Sequence, residues 1–227
     1  MNALVFGGSG AIGAATAAKL TASGAHVLTT SRVTGAADLV IDPMSNSASL
    51  SLLEGIPAAD AVIWAQGANL NDSAQSVDAE AFRDLVDANV TFVAATLGHL
   101  VRHGRLAPAA SLVVVSSIWE EIARPGKFSY GITKAAVGGL VRAAAADLAV
   151  DGHRINAVLP GVTDTPMTRE MLSAEQVGAV EGATGFGRLV SLDEVVAAIV
   201  WLCSDESSGI SGQSLKVDLG FTSVRSL

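Results

Sequence analysis

Leu4-Val5-Phe6-Gly7-Gly8-Ser9-Gly10-Ala11-Ile12-Gly13 sets an apolar run directly against a glycine-rich turn. An Ala-rich stretch, Ala11–Ser23, follows and is expected to be helical. A strand, a tight turn and a helix in that order give meaning to the Gly8-x-Gly10-x-x-Gly13 spacing. Glycines let the backbone approach a pyrophosphate, whose charge then rests on free amides at the helix N-terminus. Standing alone, the same spacing would equally describe a plain strand-to-helix turn.

Outward from this unit, short β-branched or apolar runs alternate with longer Ala-rich stretches. Strands are expected at Ala3–Phe6, His26–Thr30, Leu39–Ile41, Ala61–Trp64, Leu112–Ser116, Arg154–Leu159 and Ser214–Val217. Helices are expected at Ala11–Ser23, Ala79–His103, Tyr130–Val150 and Leu192–Ser204, with weaker turns at Ser47–Leu53 and Thr168–Val180. Strands this uniformly apolar belong to a parallel sheet covered on both faces. The pattern predicts a single doubly wound α/β domain over residues 1–227. Its seven-stranded sheet should be mainly parallel, with a cofactor at the carboxyl edge. Only eight residues, Ser31 to Asp38, separate the second and third strands. A crossover normally takes about a dozen or more. Either a helix is missing there or the strand boundaries are displaced, and the missing helix is preferred.

Composition narrows the function. Of 227 residues, 50% are apolar and 16% charged, enough for a large core and too apolar for disorder. The net charge of −8 argues against general affinity for nucleic acid or an anionic membrane. An anionic cofactor is still permitted, because a phosphate site is a local arrangement of amides. A single cysteine, Cys203, excludes an intrachain disulfide framework and is expected to be buried. No basic-plus-apolar signal precedes the first strand, and no apolar run is long enough to span a bilayer. A cytoplasmic enzyme is therefore expected.

Two further groups of residues carry chemistry. At the end of the second strand, a carboxylate would hold a ribose 2′-hydroxyl and an Arg would accommodate a 2′-phosphate. This chain has Ser31-Arg32, which favours NADP(H) over NAD(H), although an exposed loop arginine is the plain alternative. Farther on, Tyr130 and Lys134 share a helix face at four-residue spacing, and Ser117 ends a Val-rich run. A phenol of pKa about 10 is a poor base near neutrality. A neighbouring ammonium is expected to lower that value, while Ser117 hydrogen-bonds a substrate oxygen. A lone Tyr-x-x-x-Lys could equally be a chance pair on an amphipathic helix.

From Ala3 to Gly220 the chain resembles the short-chain dehydrogenase/reductase family, a Rossmann-type fold. The matches run in order through Gly7-x-x-x-Ala11-Ile12-Gly13, Asp42, Gly67, Asn89-Val90, Ser116-Ser117 and Tyr130-x-x-x-Lys134. They continue through Asn156-x-x-x-Pro160-Gly161, Thr165 and Asp218-x-Gly220. The resemblance implies an NADP(H)-dependent oxidoreductase that interconverts a small carbonyl compound and its alcohol. It makes Tyr130 the general acid/base and has Ser117 orient the carbonyl. Lys134 would lower the Tyr130 pKa and bind the nicotinamide ribose, and Asn89 would hold a relay water. Gly7, Ser9, Ala11, Ile12, Gly13, Ser31, Arg32, Asp42, Ala65, Gly67, Pro160, Gly161 and Thr165 would surround the cofactor with Tyr130 and Lys134. Residues 163–187 would form a substrate lid. A homotetramer or homodimer built through the long helices Ala79–His103 and Tyr130–Val150 is also implied.

The chain departs from the family pattern at three places. Ala11 replaces a glycine, Trp64-Ala65-Gln66-Gly67 stands for the usual Asn-Asn-Ala-Gly, and Pro43 lacks an N–H that would face adenine. Other polar residues are read as structural. His99 and His103 have helical spacing but no third ligand in the sequence, so no metal site is expected. Glu120 and Glu121 are read as a solvated loop, and Trp119 as either pocket lining or packing. Two alternatives to the oxidoreductase are a cofactor-sensing Rossmann protein without turnover and a nucleotide-sugar epimerase or dehydratase. The intact Asn89/Ser117/Tyr130/Lys134 set argues against the first. The second usually needs a larger C-terminal substrate region.

Overall fold

The computed structural model describes every residue except Pro43, Ser45 and residues 225–227, together with all side chains but those of Pro166, Met167 and Met171. Seven strands form one sheet: β1 (Asn2–Phe6), β2 (His26–Ser31), β3 (Leu39–Val40), β4 (Ala59–Trp64), β5 (Leu106–Val115), β6 (Arg154–Pro160) and β7 (Ser214–Val217). They lie in the order β3-β2-β1-β4-β5-β6-β7, and each recorded pairing is parallel. The chain leaves β1 towards β2 on one side and returns to β4 on the other. That reversal opens a crevice at the carboxyl ends of β1 and β4.

Alternation along each strand divides the core in two. Leu4, Phe6, Val62, Trp64, Leu112 and Val114 face one way and pack with α3 (Phe92–Arg102) and α4 (Phe128–Leu148). Ala3, Val5, Ala61, Ile63, Val113 and Val115 face the other way and pack with α1 (Ala11–Ala22) and α7 (Leu192–Leu202). Both faces are dry, which is why these strands contain hardly a polar residue. Trp64 is fully buried, stacks on Phe6 at 5.6 Å and donates its indole N–H to Thr96 Oγ1 at 2.8 Å. The amide expected at Trp64 is thus replaced by an aromatic plug with its one polar atom satisfied.

No helix intervenes between β2 and β3, so a loop makes that crossover, as the eight-residue spacing predicts. β3 is too short to reach the main-chain N–H of Thr29. Asp38 Oδ2 accepts from that N–H at 2.8 Å and from Thr29 Oγ1 at 2.7 Å. A side chain here completes the ladder that a longer strand would have made.

Two expectations need correction. The helix expected over Ala79–His103 is α2 (Ala79–Val86), a π-helical turn at Asp87–Thr91, and α3. Such a turn inserts an extra residue without breaking the rod, so no punctuation in the sequence marks it. β5 begins six residues earlier than expected. Asp60 lies opposite the loop Ala107–Ala110, where Ala109 takes a φ of 56°. Pro108, which cannot donate to a ladder, sits in that bulge and conceals the strand's start. The Thr168–Val180 turn resolves into α5 (Pro166–Met171) and α6 (Ala174–Ala183), separated where Ser173 and Gln176 form a capping box.

Arg154 anchors the far edge. Its guanidinium, at the start of β6, donates to the carbonyls of Leu202, Ser204, Ser207 and Ile210. Those carbonyls follow the end of α7 and have no ladder of their own, so the cation ties α7 to the sheet.

Candidate active site

Parallel strands bring each expected cofactor residue to one edge. Gly7 follows β1, Ser31 and Arg32 end β2, Asp42 follows β3, and Ala65 and Gly67 follow β4. Ser117 follows β5, and Pro160 and Gly161 end β6. Thr165 caps α5, its hydroxyl accepting from Thr168 N at 3.2 Å.

The glycine turn fits a dinucleotide. Gly7 has φ +79°, and a Cβ there would lie 2.5 Å from Gln66 N. A Cβ on Gly13 would lie 2.2 Å from the Gly7 carbonyl. The turn therefore folds back on its own helix and on β4 more closely than any side chain allows. Gly10 is the N-cap of α1, and no side chain caps the first turn. That leaves the helix end available to an anion. Ala11 is exposed, so its Cβ is accommodated without displacing the turn. Beside it, Ser9 Oγ and Ser31 Oγ lie 3.2 Å apart, and Val33 N donates to Ser31 Oγ at 3.0 Å. Arg32 is exposed next to this pair. Asp42 N donates to Ser49 Oγ at 3.1 Å. Pro43, whose missing N–H bears on the adenine end, lies outside the described residues.

The four catalytic candidates converge. Asn89 stands in the π-helical turn, 3% exposed. Its Oδ1 accepts from Ala68 N at 2.8 Å, and its Nδ2 donates to the Ala68 carbonyl and to Thr133 Oγ1, both at 3.0 Å. A Cβ on Gly67 would meet Asn89 Oδ1 at 3.1 Å and Lys134 Nζ at 3.8 Å, so these three positions enclose one corner. Lys134 Nζ donates to the Val115 carbonyl at 3.3 Å. Ser117 shares a hydrogen bond with the Tyr130 side chain and accepts from Trp119 N at 3.4 Å.

The electrostatics differ from the expectation in one respect. Burial raises the Tyr130 hydroxyl above its ordinary value, and the opposing hydrogen bond from Ser117 does not overcome this. Lys134 lies over the ring, 5.5 Å from its centroid, and does not lower the phenol. Burial pushes Lys134 itself down to about 8, against the attraction of Glu120. The phenol is therefore held protonated near neutrality, the form that can give a proton to a carbonyl oxygen.

The sequence reading missed several participants. Lys127, 7% exposed, places Nζ 5.1 Å from the Tyr130 ring centroid and bonds Asn69 Oδ1 at 2.5 Å. Asp72 accepts from Ser129 N at 2.9 Å and from Ser129 Oγ at 2.5 Å. These bonds tie the loop after β4 to the start of α4. The three-residue spacing of Lys127 and Tyr130 was the available signal, but the helix was expected to begin only at Tyr130. Glu120 is not a solvated loop residue. Its Oε1 accepts from Ser214 Oγ at 2.5 Å and lies against Gly138, while Glu121 pairs with Lys216 at 2.5 Å. Trp119 packs edge-on to Phe221 at 6.4 Å. A groove of about 620 Å³ runs along the outer side of α4 past Trp119, Ile122, Phe128, Ile132 and Ala135. Its lining includes Lys127 but not Ser117, Tyr130 or Lys134.

A sequence profile described as Enoyl-(Acyl carrier protein) reductase matches residues 48–222. The cis-4-hydroxycyclohexanecarboxylate dehydrogenase of Sinomonas cyclohexanicum is 33% identical over 98% of this chain and 96% of its own length. The chain belongs to the short-chain dehydrogenase/reductase family. The cyclopentanol dehydrogenase of Comamonas sp. is 37% identical over 65% of this chain and 60% of its own. Among solved structures, a gluconate 5-dehydrogenase from Burkholderia cenocepacia, in complex with NADP and tartrate, superposes with a TM-score of 0.91. It is 25% identical, over 99% of this chain and 96% of that one. These relatives include alcohol and hydroxy-compound dehydrogenases, which supports carbonyl/alcohol interconversion as the chemistry of this short-chain dehydrogenase/reductase.

The buried lysines of this family member carry a pH signature. Lys127 also falls to about 8, mainly through burial, against an unfolded value near 10.4. Between those values the unfolded chain binds more protons, so the contribution of Lys127 to stability rises with pH across that window. Urea midpoints of wild type and Lys127→Met, taken at about pH 7.5 and about pH 9.5, read this directly. Wild type should gain on the variant at the higher pH; parallel pH responses contradict a buried, depressed lysine.

Proposed function

We propose that this short-chain dehydrogenase/reductase is an NADP(H)-preferring enzyme that interconverts a small carbonyl compound and its alcohol. The observation that carries the proposal is the enclosure of Asn89, Ser117, Tyr130 and Lys134 at the sheet edge beside the glycine turn. The glycine turn, the end of β2 and the residues after β6 would hold the cofactor, and Lys134 would bond its nicotinamide ribose. Such a cofactor would supply the hydride exchanged at the carbonyl carbon.

The chain's own residues manage the oxygen. Ser117 donates a hydrogen bond to it, and Tyr130 gives its proton as the carbonyl is reduced or removes it as the alcohol is oxidised. Both amide protons of Asn89 are engaged by Ala68 and Thr133. Asn89 therefore braces the turn after β4 against α4 and has only an oxygen lone pair left for a relay water. A sensor without turnover has no use for this acid/base set.

Tyr130→Phe should reduce turnover by about 10²–10⁴-fold while leaving cofactor affinity nearly unchanged. Retention of more than about a tenth of the activity contradicts the proton-transfer role. Lys134→Ala should damage turnover and cofactor affinity together. Carbonyl compounds, beginning with alicyclic ketones, screened by NADPH consumption supply the substrate for both assays.

Cofactor choice rests on Ser31-Arg32. A guanidinium gains a charge-assisted contact only from a 2′-phosphate, worth roughly ten- to a hundredfold in binding. Arg32 is exposed, so added salt should shrink that preference. Steady-state kinetics with NADPH and NADH decide it. Equal efficiencies in wild type, or an unchanged preference in Arg32→Ala, refute the assignment.

The assembly is proposed to be a dimer or tetramer paired through α4 and its groove. Ile132 and Phe128 are 43% and 42% exposed, and Ala135, Ala136, Ala143 and Ala146 offer a small, exposed helix face. Gly138 belongs elsewhere: it is buried against Glu120 and frees that carboxylate's space. Light scattering at micromolar concentration should give a multiple of the chain mass, and a monomer excludes this pairing.

A further inference from the structure

His99 and His103 sit one helical turn apart at the end of α3, and the fold supplies the third group that the sequence does not reveal. The 3-10 segment Ser47–Gly55 packs on α3 and carries Glu54 to both rings. Glu54 Oε1 lies 3.6 Å from His99 Nε2 and 3.8 Å from His103 Nδ1, and one ligand atom from each residue falls within 4.8 Å of the others. The imidazoles stack at 4.2 Å with 23° between their planes. Separations of 3.6 and 3.8 Å are too long for hydrogen bonds. They are close to the edge of a tetrahedron with metal–ligand arms of about 2.1 Å, which is about 3.4 Å.

Burial separates this arrangement from an ordinary surface cluster. His99 is 7% exposed, and its Nε2 is buried without a hydrogen-bond partner. A polar nitrogen in that state costs stability unless something meets it.

The spacing is also held in place. Arg105 Nη1 donates to the carbonyls of Glu54 and Ile56, both at 3.1 Å, and Arg105 Nε donates to the His103 carbonyl at 2.9 Å. One guanidinium thus fixes the end of the 3-10 segment to the end of α3 through their main chains. It leaves the three side chains free to converge.

We propose that Glu54, His99 and His103 bind a divalent transition ion, Zn²⁺ by ligand type. Two imidazoles and one carboxylate make a borderline ligand set suited to zinc, with a fourth position left for water. His99 closes the inner side, and Glu54 and His103, 47% and 40% exposed, close the outer. The site stands at the amino edge of the sheet. Along the helix His99 stands ten residues and His103 fourteen residues beyond Asn89, roughly 15 and 21 Å at 1.5 Å per residue. An ion there touches no reacting atom. It ties α3 to the 3-10 segment and stabilises the folded chain by binding that state alone.

Untagged protein stripped with EDTA and titrated with ZnCl₂ by calorimetry tests this, with thermal unfolding as a parallel readout. Wild type should take up one Zn²⁺ per chain, show a raised unfolding midpoint with Zn²⁺, and give the visible absorption of tetrahedral cobalt when loaded with Co²⁺. His103→Ala and Glu54→Gln alter exposed side chains and should keep the wild-type circular dichroism. Each should bind Zn²⁺ at least about tenfold more weakly and lose most of the thermal shift. Absence of stoichiometric binding by wild type, or retained affinity in either variant, overturns the site.

Discussion

Burying both faces of a parallel sheet is the constraint from which the rest of this protein follows. Such a sheet admits only apolar strands, so polar groups that do chemistry are pushed to the strand ends. Because the strands run in one direction, those ends share an edge. Gly7, Ser31, Gly67, Ser117 and Gly161 come from five different strands, yet stand in one row along it. The reversal of strand order between β1 and β4 then opens the row into a crevice. At that point the backbone of Gly7 approaches residues 65 and 66 too closely for a side chain.

The site at that edge is braced from behind. Asn89 and Thr133 link the turn after β4 to α4, while Asn69 and Asp72 link the same loop to Lys127 and Ser129. Each bond holds Tyr130 and Lys134 at a fixed depth. Desolvation at that depth favours the neutral forms of both the phenol and the ammonium. A protonated tyrosine suits carbonyl reduction in the absence of any special partner.

Charge elsewhere serves the architecture. Arg154 gathers the carbonyls beyond α7, and Arg188 grips Glu194 with two bonds of 2.9 and 2.7 Å. Glu194 also closes the capping box at Ser191, and these contacts hold it at about 2. Through Arg188 the segment after α6 is fastened to the start of α7.

The sequence by itself determined the order of the elements, the parallel sheet, the glycine turn and the Ser117/Tyr130/Lys134 spacing. These are carried by local signals: apolar runs, glycines at a turn, and residues one helical turn apart. Even the missing crossover helix was readable, because eight residues are too few for a helix together with the two turns that a crossover needs. The tertiary structure alone decided what depends on distant segments meeting. It set the π-helical turn that presents Asn89, the bulge that conceals the start of β5, and the burial that raises Tyr130. It also brought Lys127 to the tyrosine ring, lodged Glu120 against Gly138, and carried Glu54 to His99 and His103. Apart from the three-residue spacing of Lys127 and Tyr130, these leave no periodicity to read, since they depend on burial and on contacts that local sequence does not encode.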